Sequence, residues 1–193
     1  MASRDFLAAF SCLPRLIVFD LDFTLWPLWC DTHVSPPFIR KNNVIYDVNE
    51  RRVDVYPDSE KILRIISESP VIKLACASRT SAINVAQQLL RILGWSNLFD
   101  YTEIYPGSKI SHFKRDDMMK DQSHWRSYIC ALCSSKPFHE LSGIAYTDML
   151  FFDDEERNIN DISRLGVQCH LVERGLTLKL LEHALRKFQQ SRS

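Results

Sequence analysis

Two aspartates near the start of the chain, Asp20 and Asp22, are the residues whose types and spacing most directly suggest chemistry. They follow Leu16–Phe19, a short apolar run typical of a fully buried parallel strand. Because side chains two residues apart on an extended chain point the same way, both carboxylates face one side. No lysine or arginine adjoins them in the sequence, so their charge needs a compensating cation. Mg²⁺, which prefers oxygen ligands, is the natural candidate, and a metal-dependent phosphoryl-transfer site is the first hypothesis.

Three further predicted strands are also followed by polar residues that could take part in such chemistry. Because the carboxyl ends of parallel strands meet at one edge of a sheet, we expect these side chains to gather beside Asp20 and Asp22. Carboxylates, a hydroxyl, a lysine and the N-terminus of a helix can together hold Mg²⁺ and a phosphate. The strands and the residues that follow them are Val71–Ala77 with Ser78 and Arg79, Tyr101–Tyr105 with Lys109, and Met149–Phe152 with Asp153 and Asp154.

Apolar strand patterns alternate with helical periodicity, which predicts an α/β fold with a mostly parallel sheet and helices on both faces. A fifth strand is expected at Val167–Val172. Residues 26–57 lack helical periodicity, and we interpret them as a β-hairpin flap built from Val44–Tyr46 and Val53–Tyr56. Residues 114–146 form a stretch long enough to indicate an insertion. The predicted helices are Asp58–Glu68 with Asp58 as its cap, Thr80–Leu93 ending at Gly94, Glu155–Leu165 ending at Gly166, and Leu178–Phe188.

The composition limits the classes of protein to consider. The chain has 193 residues, 46% of them hydrophobic, which suffices for one domain with a buried core. Lys+Arg and Asp+Glu both number 24 and the basic residues are scattered, so nothing indicates a nucleic-acid surface. No window approaches the ~18 apolar residues of a membrane span, and residues 1–14 lack the apolar core of a signal peptide. We therefore expect a soluble, cytoplasmic protein and, by default, a monomer.

The six cysteines have no regular spacing, which favours reduced thiols. Cys130 and Cys133 form a lone CxxC pair, and His139 follows six residues later. A structural zinc ion normally takes four ligands and the sequence offers no second pair, so two thiols on an apolar segment are the preferred interpretation.

The motifs FDLDFTL, ASRT, GSK and FFDDEERN together resemble the haloacid dehalogenase (HAD) superfamily of phosphatases, and within it the eukaryotic magnesium-dependent phosphatases. The resemblance covers residues 15–113 and 143–188, and residues 114–142 look inserted. It implies one HAD-like domain over residues 15–188: a three-layer, Rossmann-like fold with no large cap domain. Residues 1–14 and 189–193 would then be mobile termini.

The resemblance also implies a role for each motif residue. Asp20 would be the nucleophile that forms an aspartyl-phosphate, and Asp22 the general acid and base. Asp153 would not bind the metal itself but would hydrogen-bond to the groups around it. In related families the first acid of such a pair is the metal ligand. The implied Mg²⁺ ligands are Asp20, Asp22 and Asp154. The implied contacts with substrate phosphate are Leu21, Asp22, Ser78, Arg79 and Lys109.

The resulting hypothesis is a Mg²⁺-dependent acid-type phosphatase that hydrolyses a phosphorylated small molecule or a phosphoprotein. Protein phosphotyrosine, sugar phosphates and glycated-amine phosphates stay open as substrates. The aromatic segment 26–38 is either a loop pinned by its own packing or, with His33, a wall that contacts the leaving group. The alternative function is a receiver-like phospho-acceptor domain. In receivers the acid pair precedes the acceptor, whereas Asp153 and Asp154 come last here, and Asp22 would speed hydrolysis.

Overall fold

The computed structural model describes residues 6–114 and 137–192 of the chain. The strands are β1 (Leu16–Phe19), β2 (Ile39–Lys41), β3 (Val44–Tyr46), β4 (Arg52–Val53), β5 (Lys73–Ser78), β6 (Tyr101–Ile104), β7 (Met149–Asp153) and β8 (Gln168–Leu171). The helices are α1 (Ser59–Ser67), α2 (Ile83–Leu93), α3 (Lys109–Phe113), α4 (Phe138–Ser142), α5 (Glu156–Ser163) and α6 (Leu178–Gln190), with a 3₁₀ turn at Tyr146–Asp148.

The central sheet contains five parallel strands in the order β6-β5-β1-β7-β8. β1 is the middle strand, and all four of its residues are buried because both faces of the sheet are covered. Since β5 and β7 flank β1 in parallel, the carboxyl ends of all three lie side by side. This arrangement confirms the predicted mostly parallel α/β sheet and brings the residues after its central strands together.

Alternate residues of the strands face two separate cores. Ile17 and Phe19 of β1 lie in one core with apolar residues of α1, α2 and α6. Leu16 and Val18 lie in the other core, where α3 and α5 contribute Phe113 and Ile162. Helices therefore cover both faces, as predicted, and the architecture has three layers.

The helix ends differ from the prediction in two informative places. Asp58 occupies the N-cap position of α1 but makes no capping bond there. Its Oδ2 instead accepts a hydrogen bond of 2.9 Å from the N–H of Leu178, the first residue of α6. Asp58 thus holds the predicted N-cap position, but its carboxylate joins two helices that are distant in sequence and does not cap α1. α2 begins at Ile83, three residues later than predicted, and ends as expected at Gly94, whose φ of +77° suits glycine.

Residues 39–53 form a small antiparallel sheet in the order β2-β3-β4. The predicted hairpin pieces correspond to β3 and β4, and β2 was not anticipated. Asp47 holds the connecting turns because its carboxylate accepts bonds of 3.1, 2.8 and 2.8 Å from the N–H groups of Ser35, Asn49 and Arg51. That this sheet acts as a flap stays a prediction.

The packing extends beyond the predicted domain limits. Leu7 and Phe10 are buried in the core, so the domain begins before residue 15. α4 lies within residues 114–142, where an insertion is predicted. Its Phe138 packs edge-on against Phe113 with ring centroids 5.3 Å apart. Cys130 and Cys133 lie outside the described residues, and the cysteines inside them are free thiols. None of the described helices combines the length and apolar character needed to cross a membrane.

Candidate active site

Asp20 and Lys109 form a buried ion pair at the carboxyl end of β1. Lys109 begins α3, and its Nζ lies 2.5 Å from Asp20 Oδ1, 2.7 Å from the carbonyl oxygen of Ala77 and 3.3 Å from Asp153 Oδ2. Lys109 is only 2% exposed, which is rare for a lysine without charged partners. Part of the compensating charge that Asp20 needs therefore comes from a lysine 89 residues away in sequence, not from a metal alone.

Burial and neighbouring charges both shift the pKa values of this pair. Burial raises the pKa of Asp20 well above its usual range; Lys109 opposes this effect and Asp153 adds to it. Burial alone would lower the pKa of Lys109, but the carboxylates of Asp20 and Asp153 raise it overall. Lys109 is therefore held as an ammonium group between two acids.

Asp153, the last residue of β7, is completely buried among hydrogen-bond donors. Its Oδ1 accepts bonds of 2.8 Å from the N–H of Glu155 and 2.9 Å from Asn158 Nδ2. Its Oδ2 lies 3.1 Å from the same amide nitrogen and 3.3 Å from Lys109 Nζ. Asn158 is a buried residue of α5, so Asp153 ties this helix to the lysine.

Asp154 has a different environment although it is the next residue. It is only partly buried, and burial together with the charge of Asp153 raises its pKa to about 6. A raised pKa means that the surroundings disfavour the carboxylate, and a bound cation would reverse that preference. Of the two acids, Asp154 is therefore the one whose negative charge is stabilised less by the surrounding protein.

The donor set fits a hard divalent cation. Asp20 and Asp154 could supply carboxylate oxygens and Asp22 its backbone carbonyl oxygen, and Mg²⁺ prefers such oxygen ligands. Within residues 6–114 and 137–192, no three His, Cys, Asp or Glu side chains lie close enough to hold a metal ion on their own. Mg²⁺ commonly takes one or two carboxylates and keeps several waters, so the residues present are compatible with it.

The loop after β1 orients the carboxylate of Asp22. Its Oδ1 accepts a bond of 2.6 Å from Trp26 Nε1–H, and its Oδ2 accepts one of 3.1 Å from the N–H of Cys30. Burial raises the pKa of Asp22, and these hydrogen bonds oppose the shift. A carboxyl group with a raised pKa and a fixed orientation is suited to donating and accepting a proton. The side chain of Leu21 is buried in the core, so any contact with phosphate would come from its backbone.

Ser78 lies at the end of β5, beside β1, and is buried. Its Oγ accepts a bond of 3.4 Å from the N–H of Thr80. The predicted helix N-terminus does not follow directly, because Thr80 Oγ1 accepts a 3.1 Å bond from the N–H of Ala82 and holds a turn before α2. The expectation that the helix N-terminus stands immediately beside Ser78 is therefore wrong.

Arg79 binds the protein itself in this structure. Its Nε donates a bond of 2.7 Å to the carbonyl oxygen of Gly107. Its Nη1 lies 3.2 Å from both Glu155 Oε2 and Asn158 Oδ1. These contacts join the loops after β5, β6 and β7. A contact between Arg79 and substrate, which the resemblance implies, would have to share or replace them.

An aromatic cluster lies next to Asp22. The ring of Phe23 contacts that of Trp29 edge-on at 5.1 Å, and the rings of Trp29 and His33 are also 5.1 Å apart. Trp29 is 53% exposed and His33 is exposed, so packing accounts for only part of the cluster. Phe23 adopts a left-handed backbone with φ +54°, an unusual conformation for an aromatic residue. Both interpretations of the segment stay open, because Trp26 is fully buried and stacks on Trp95 whereas Trp29 and His33 leave an accessible aromatic surface.

Two residues of the site, Asn158 and His112, were not singled out from the sequence. Asn158 holds Asp153 and also contacts Arg79. His112 is completely buried, and its ring nitrogens face the backbone of Ser78 and Ser108. A signal did exist, since a helix that starts at Lys109 places His112, three residues on, on the same face.

The chain resembles known phosphatases over most of its length. A family model described as acid phosphatase matches residues 12–191. Magnesium-dependent phosphatase 1 of Homo sapiens is 39% identical over 182 residues, which cover 94% of this chain and 90% of the human protein. A HAD-like hydrolase superfamily protein of Schizosaccharomyces pombe is 37% identical over 166 residues, or 80% of this chain and 83% of that protein.

A solved structure supports the fold independently of sequence. A HAD-like family hydrolase from Porphyromonas gingivalis superposes with a TM-score of 0.52 at 15% identity, over 91% of this chain and 99% of that one. Identity this low speaks for the fold alone. The HAD-like architecture that the sequence resemblance implied is thereby confirmed.

Proposed function

The chain belongs to the acid phosphatase family, and from this premise we propose that it is a Mg²⁺-dependent phosphomonoesterase that works through an aspartyl-phosphate on Asp20. The observation that carries the proposal is the buried contact of Lys109 with both Asp20 and Asp153 at the carboxyl end of the central strands. The buried ammonium group of Lys109 fixes the position of the Asp20 carboxylate, which can then bind to the phosphorus of a substrate. The name of the human relative supports Mg²⁺ as the metal.

In the first step an oxygen of Asp20 attacks phosphorus, and the bond from phosphorus to the ester oxygen breaks. Asp22 gives its proton to the departing oxygen, which leaves as an alcohol or phenol. In the second step Asp22 takes a proton from water, whose oxygen attacks the aspartyl-phosphate. Inorganic phosphate leaves and the carboxylate of Asp20 is restored. The raised pKa of Asp22 and its bonds to Trp26 and Cys30 suit both proton transfers.

The other predicted residues fit supporting roles. Lys109 neutralises charge between Asp20 and the phosphoryl group, and the hydroxyl of Ser78 donates to a phosphoryl oxygen. Asp20, Asp154 and the backbone carbonyl of Asp22 would hold Mg²⁺, which would neutralise charge on the phosphate. Asp153 steadies Lys109, because its own oxygens already accept bonds from Asn158 and Glu155. Because Asp153 already accepts these bonds, Asp154 is favoured over Asp153 as the residue that would bind Mg²⁺ directly.

A phosphate ester with a flat, apolar leaving group is the substrate class that the aromatic cluster favours. Trp29 stands exposed beside Phe23, in the loop that orients Asp22, where the leaving oxygen is protonated. Aromatic faces bind flat apolar groups well. Phosphotyrosine therefore ranks above sugar and glycated-amine phosphates. Action as a cytoplasmic monomer stays a prediction.

The decisive test is release of phosphate from p-nitrophenyl phosphate with Mg²⁺ and with EDTA. We expect turnover only with Mg²⁺, and a loss of several orders of magnitude in Asp20→Asn. Full activity of that variant, or turnover in EDTA, would falsify the proposal.

Replacing Trp29 by Leu should raise KM for aryl phosphates and leave KM for sugar phosphates unchanged. Equal effects on both kinds of substrate would exclude the aromatic contact.

The receiver-like alternative predicts a different product. If Asp20 only stored phosphate, an acyl-phosphate lasting hours would accumulate after incubation with a small phosphodonor. The orientation of Asp22 by two hydrogen bonds argues against storage, because a fixed acid and base beside the acceptor speeds hydrolysis.

A further inference from the structure

His112 is a buried, polar residue next to the site, and the proposed mechanism does not use it. It lies on α3, one turn after Lys109, and is completely buried. Its ring stacks on that of Tyr105 with centroids 4.0 Å apart and planes only 2° from parallel. Burying an imidazole costs free energy unless its polar atoms find partners, so its hydrogen bonds indicate what it does.

Lys109 and His112 bind two consecutive carbonyl groups at the end of β5. Lys109 Nζ lies 2.7 Å from the oxygen of Ala77, and His112 Nε2 lies 3.1 Å from the oxygen of Ser78. The Ser78 oxygen also accepts a 3.1 Å bond from the N–H of Tyr105. One short helix therefore holds the strand end that carries the Ser78 hydroxyl.

Counting donors and acceptors identifies which ring nitrogen carries the proton. Burial and the charge of Lys109 lower the pKa of His112 to about 3, so the ring is neutral and has a single N–H. Its Nδ1 faces the oxygen of Ser108 at 3.2 Å, but that oxygen already accepts from Ser111 N–H at 3.1 Å and Ser111 Oγ–H at 2.6 Å. The Ser78 oxygen has one lone pair left after Tyr105. The proton therefore belongs on Nε2.

We propose that His112, as the Nε2–H tautomer, is a positioning residue that clamps the Ser78 carbonyl and so sets the Ser78 hydroxyl in register with Lys109. The inference rests on the proposed function, since it concerns two groups that would bind the phosphoryl oxygens. Both are expected to act most strongly on the charge of the transition state. Loss of the clamp should therefore lower kcat more than it raises KM.

Three substitutions separate the clamp from general packing. The amide nitrogen of Gln in His112→Gln can replace Nε2–H, whereas that of Asn in His112→Asn is placed like Nδ1 and cannot reach Ser78. His112→Phe keeps a ring on Tyr105 and removes both nitrogens. The wild type and the three variants are assayed with p-nitrophenyl phosphate and Mg²⁺ at a temperature below the lowest of their melting temperatures. The inhibition constant of inorganic phosphate is measured in parallel.

We expect kcat to fall at least about tenfold in His112→Asn and His112→Phe, because a shift of about 1 Å in a positioning group can cost about 100-fold. His112→Gln should stay within about threefold of wild type, with weaker inhibition by phosphate only in the other two variants. Equal kcat in His112→Gln and His112→Asn, or losses that follow melting temperature alone, would overturn the clamp. If His112→Phe does not fold, the Gln and Asn pair still decides.

The same experiment separates this inference from the function itself. Wild-type turnover compared with Asp20→Asn tests the phosphatase reaction, and the ratio between His112→Gln and His112→Asn tests the clamp. If the wild type proves inactive, calorimetric titration with inorganic phosphate replaces the inhibition constant, and equal affinities in His112→Gln and His112→Asn would overturn the clamp.

Discussion

Asp153 and Asp154 are adjacent in sequence but are compensated in different ways. Asp153 is buried and receives bonds from Asn158, Glu155 and Lys109. Asp154 is partly exposed and its pKa is raised to about 6, first by burial and then by Asp153. Because a group already filled with protein donors gains little from a cation, the two acids should respond differently to metal.

The pair Asp153→Asn and Asp154→Asn tests that difference at the scale of single residues. Asp154→Asn should lose Mg²⁺ activation, yet in EDTA at pH 8 it should melt no lower than wild type, because it removes a disfavoured charge. Asp153→Asn should lower stability by about 1–3 kcal/mol, since the carboxylate oxygen that faces Lys109 and Asn158 becomes an amide nitrogen, which cannot accept from them. Mg²⁺ titrations of activity and urea unfolding in EDTA measure the two effects. The opposite pattern would make Asp153 the direct ligand.

Glu103 of β6 provides a separate test of buried charge. It is 6% exposed, its Oε2 lacks a hydrogen-bond partner among the described residues, and burial raises its pKa to about 7. In the folded protein Glu103 keeps its proton up to a higher pH than it does in the unfolded chain. The contribution of Glu103 to the free energy of unfolding therefore falls as pH rises from about 4.5 to 7.

Glu103→Gln should remove that pH dependence. The variant and wild type should be similar near pH 4.5, and the variant should be more stable by about 1–3 kcal/mol at pH 8. Urea unfolding at both pH values measures the difference between the two proteins. A difference that does not grow with pH would show that folding does not raise the pKa of Glu103.

At the scale of elements, the loops of the site are attached to one another. The carbonyl oxygens of Thr24 and Leu25, just after Asp22, accept bonds of 3.0 and 3.1 Å from the N–H groups of Leu176 and Tyr56. The loop after β1 is thus joined to the connections after β4 and β8. Such bonds between loops keep a site in place when its residues come from several strands.

Gly175 provides a test of this attachment. It has φ +83°, and a Cβ there would lie 2.3–2.4 Å from ring carbons of Tyr56. Gly94 has a similar φ of +77° but open space around it. Gly94→Ala should therefore cost about 1 kcal/mol for backbone strain, and Gly175→Ala about 1–3 kcal/mol more for the clash. Equal losses in urea unfolding would mean that the Tyr56 ring moves away at little cost.

At the scale of the whole molecule, two cores cover the sheet while its carboxyl edge collects acids. Within the described residues, the polar groups of that edge come from the ends of β1, β5 and β7 and from the start of α3. The cores stabilise the folded chain, and the burial of carboxylates opposes them. A metal that binds only the folded state should therefore shift the whole unfolding equilibrium.

Mg²⁺ should raise the melting temperature of the protein, and EDTA should reverse the rise. At a hundred times its dissociation constant, an ion that binds only the folded state adds about 2.7 kcal/mol. Calorimetry at pH 8 measures the shift. Asp154→Asn is the control and should show little change. A wild-type protein that melts at the same temperature with and without Mg²⁺ would contradict binding at this site.

The alternation of strands and helices, the buried β1 and the acids after it were predictable from sequence because periodicity and strand ends are local features. Helix limits were less certain: Thr80 and Asp58 bond to partners that replace the expected helix start and cap. Residues 1–14 were expected to be mobile, yet Leu7 and Phe10 pack in the core. Contacts across distant parts of the chain decided these cases.

Local sequence pattern was enough to assign the kind of fold and to place Asp20, Asp22, Ser78, Asp153 and Asp154 at strand ends, because side-chain direction and the alternation of strands with helices are local features. The position of Lys109 between Asp20 and Asp153, and the bonds by which His112 and Asn158 hold the loops around them, depend on the folded chain. The physical reason is that burial, pKa and donor sharing depend on which groups meet in space, and these groups are tens of residues apart in the chain.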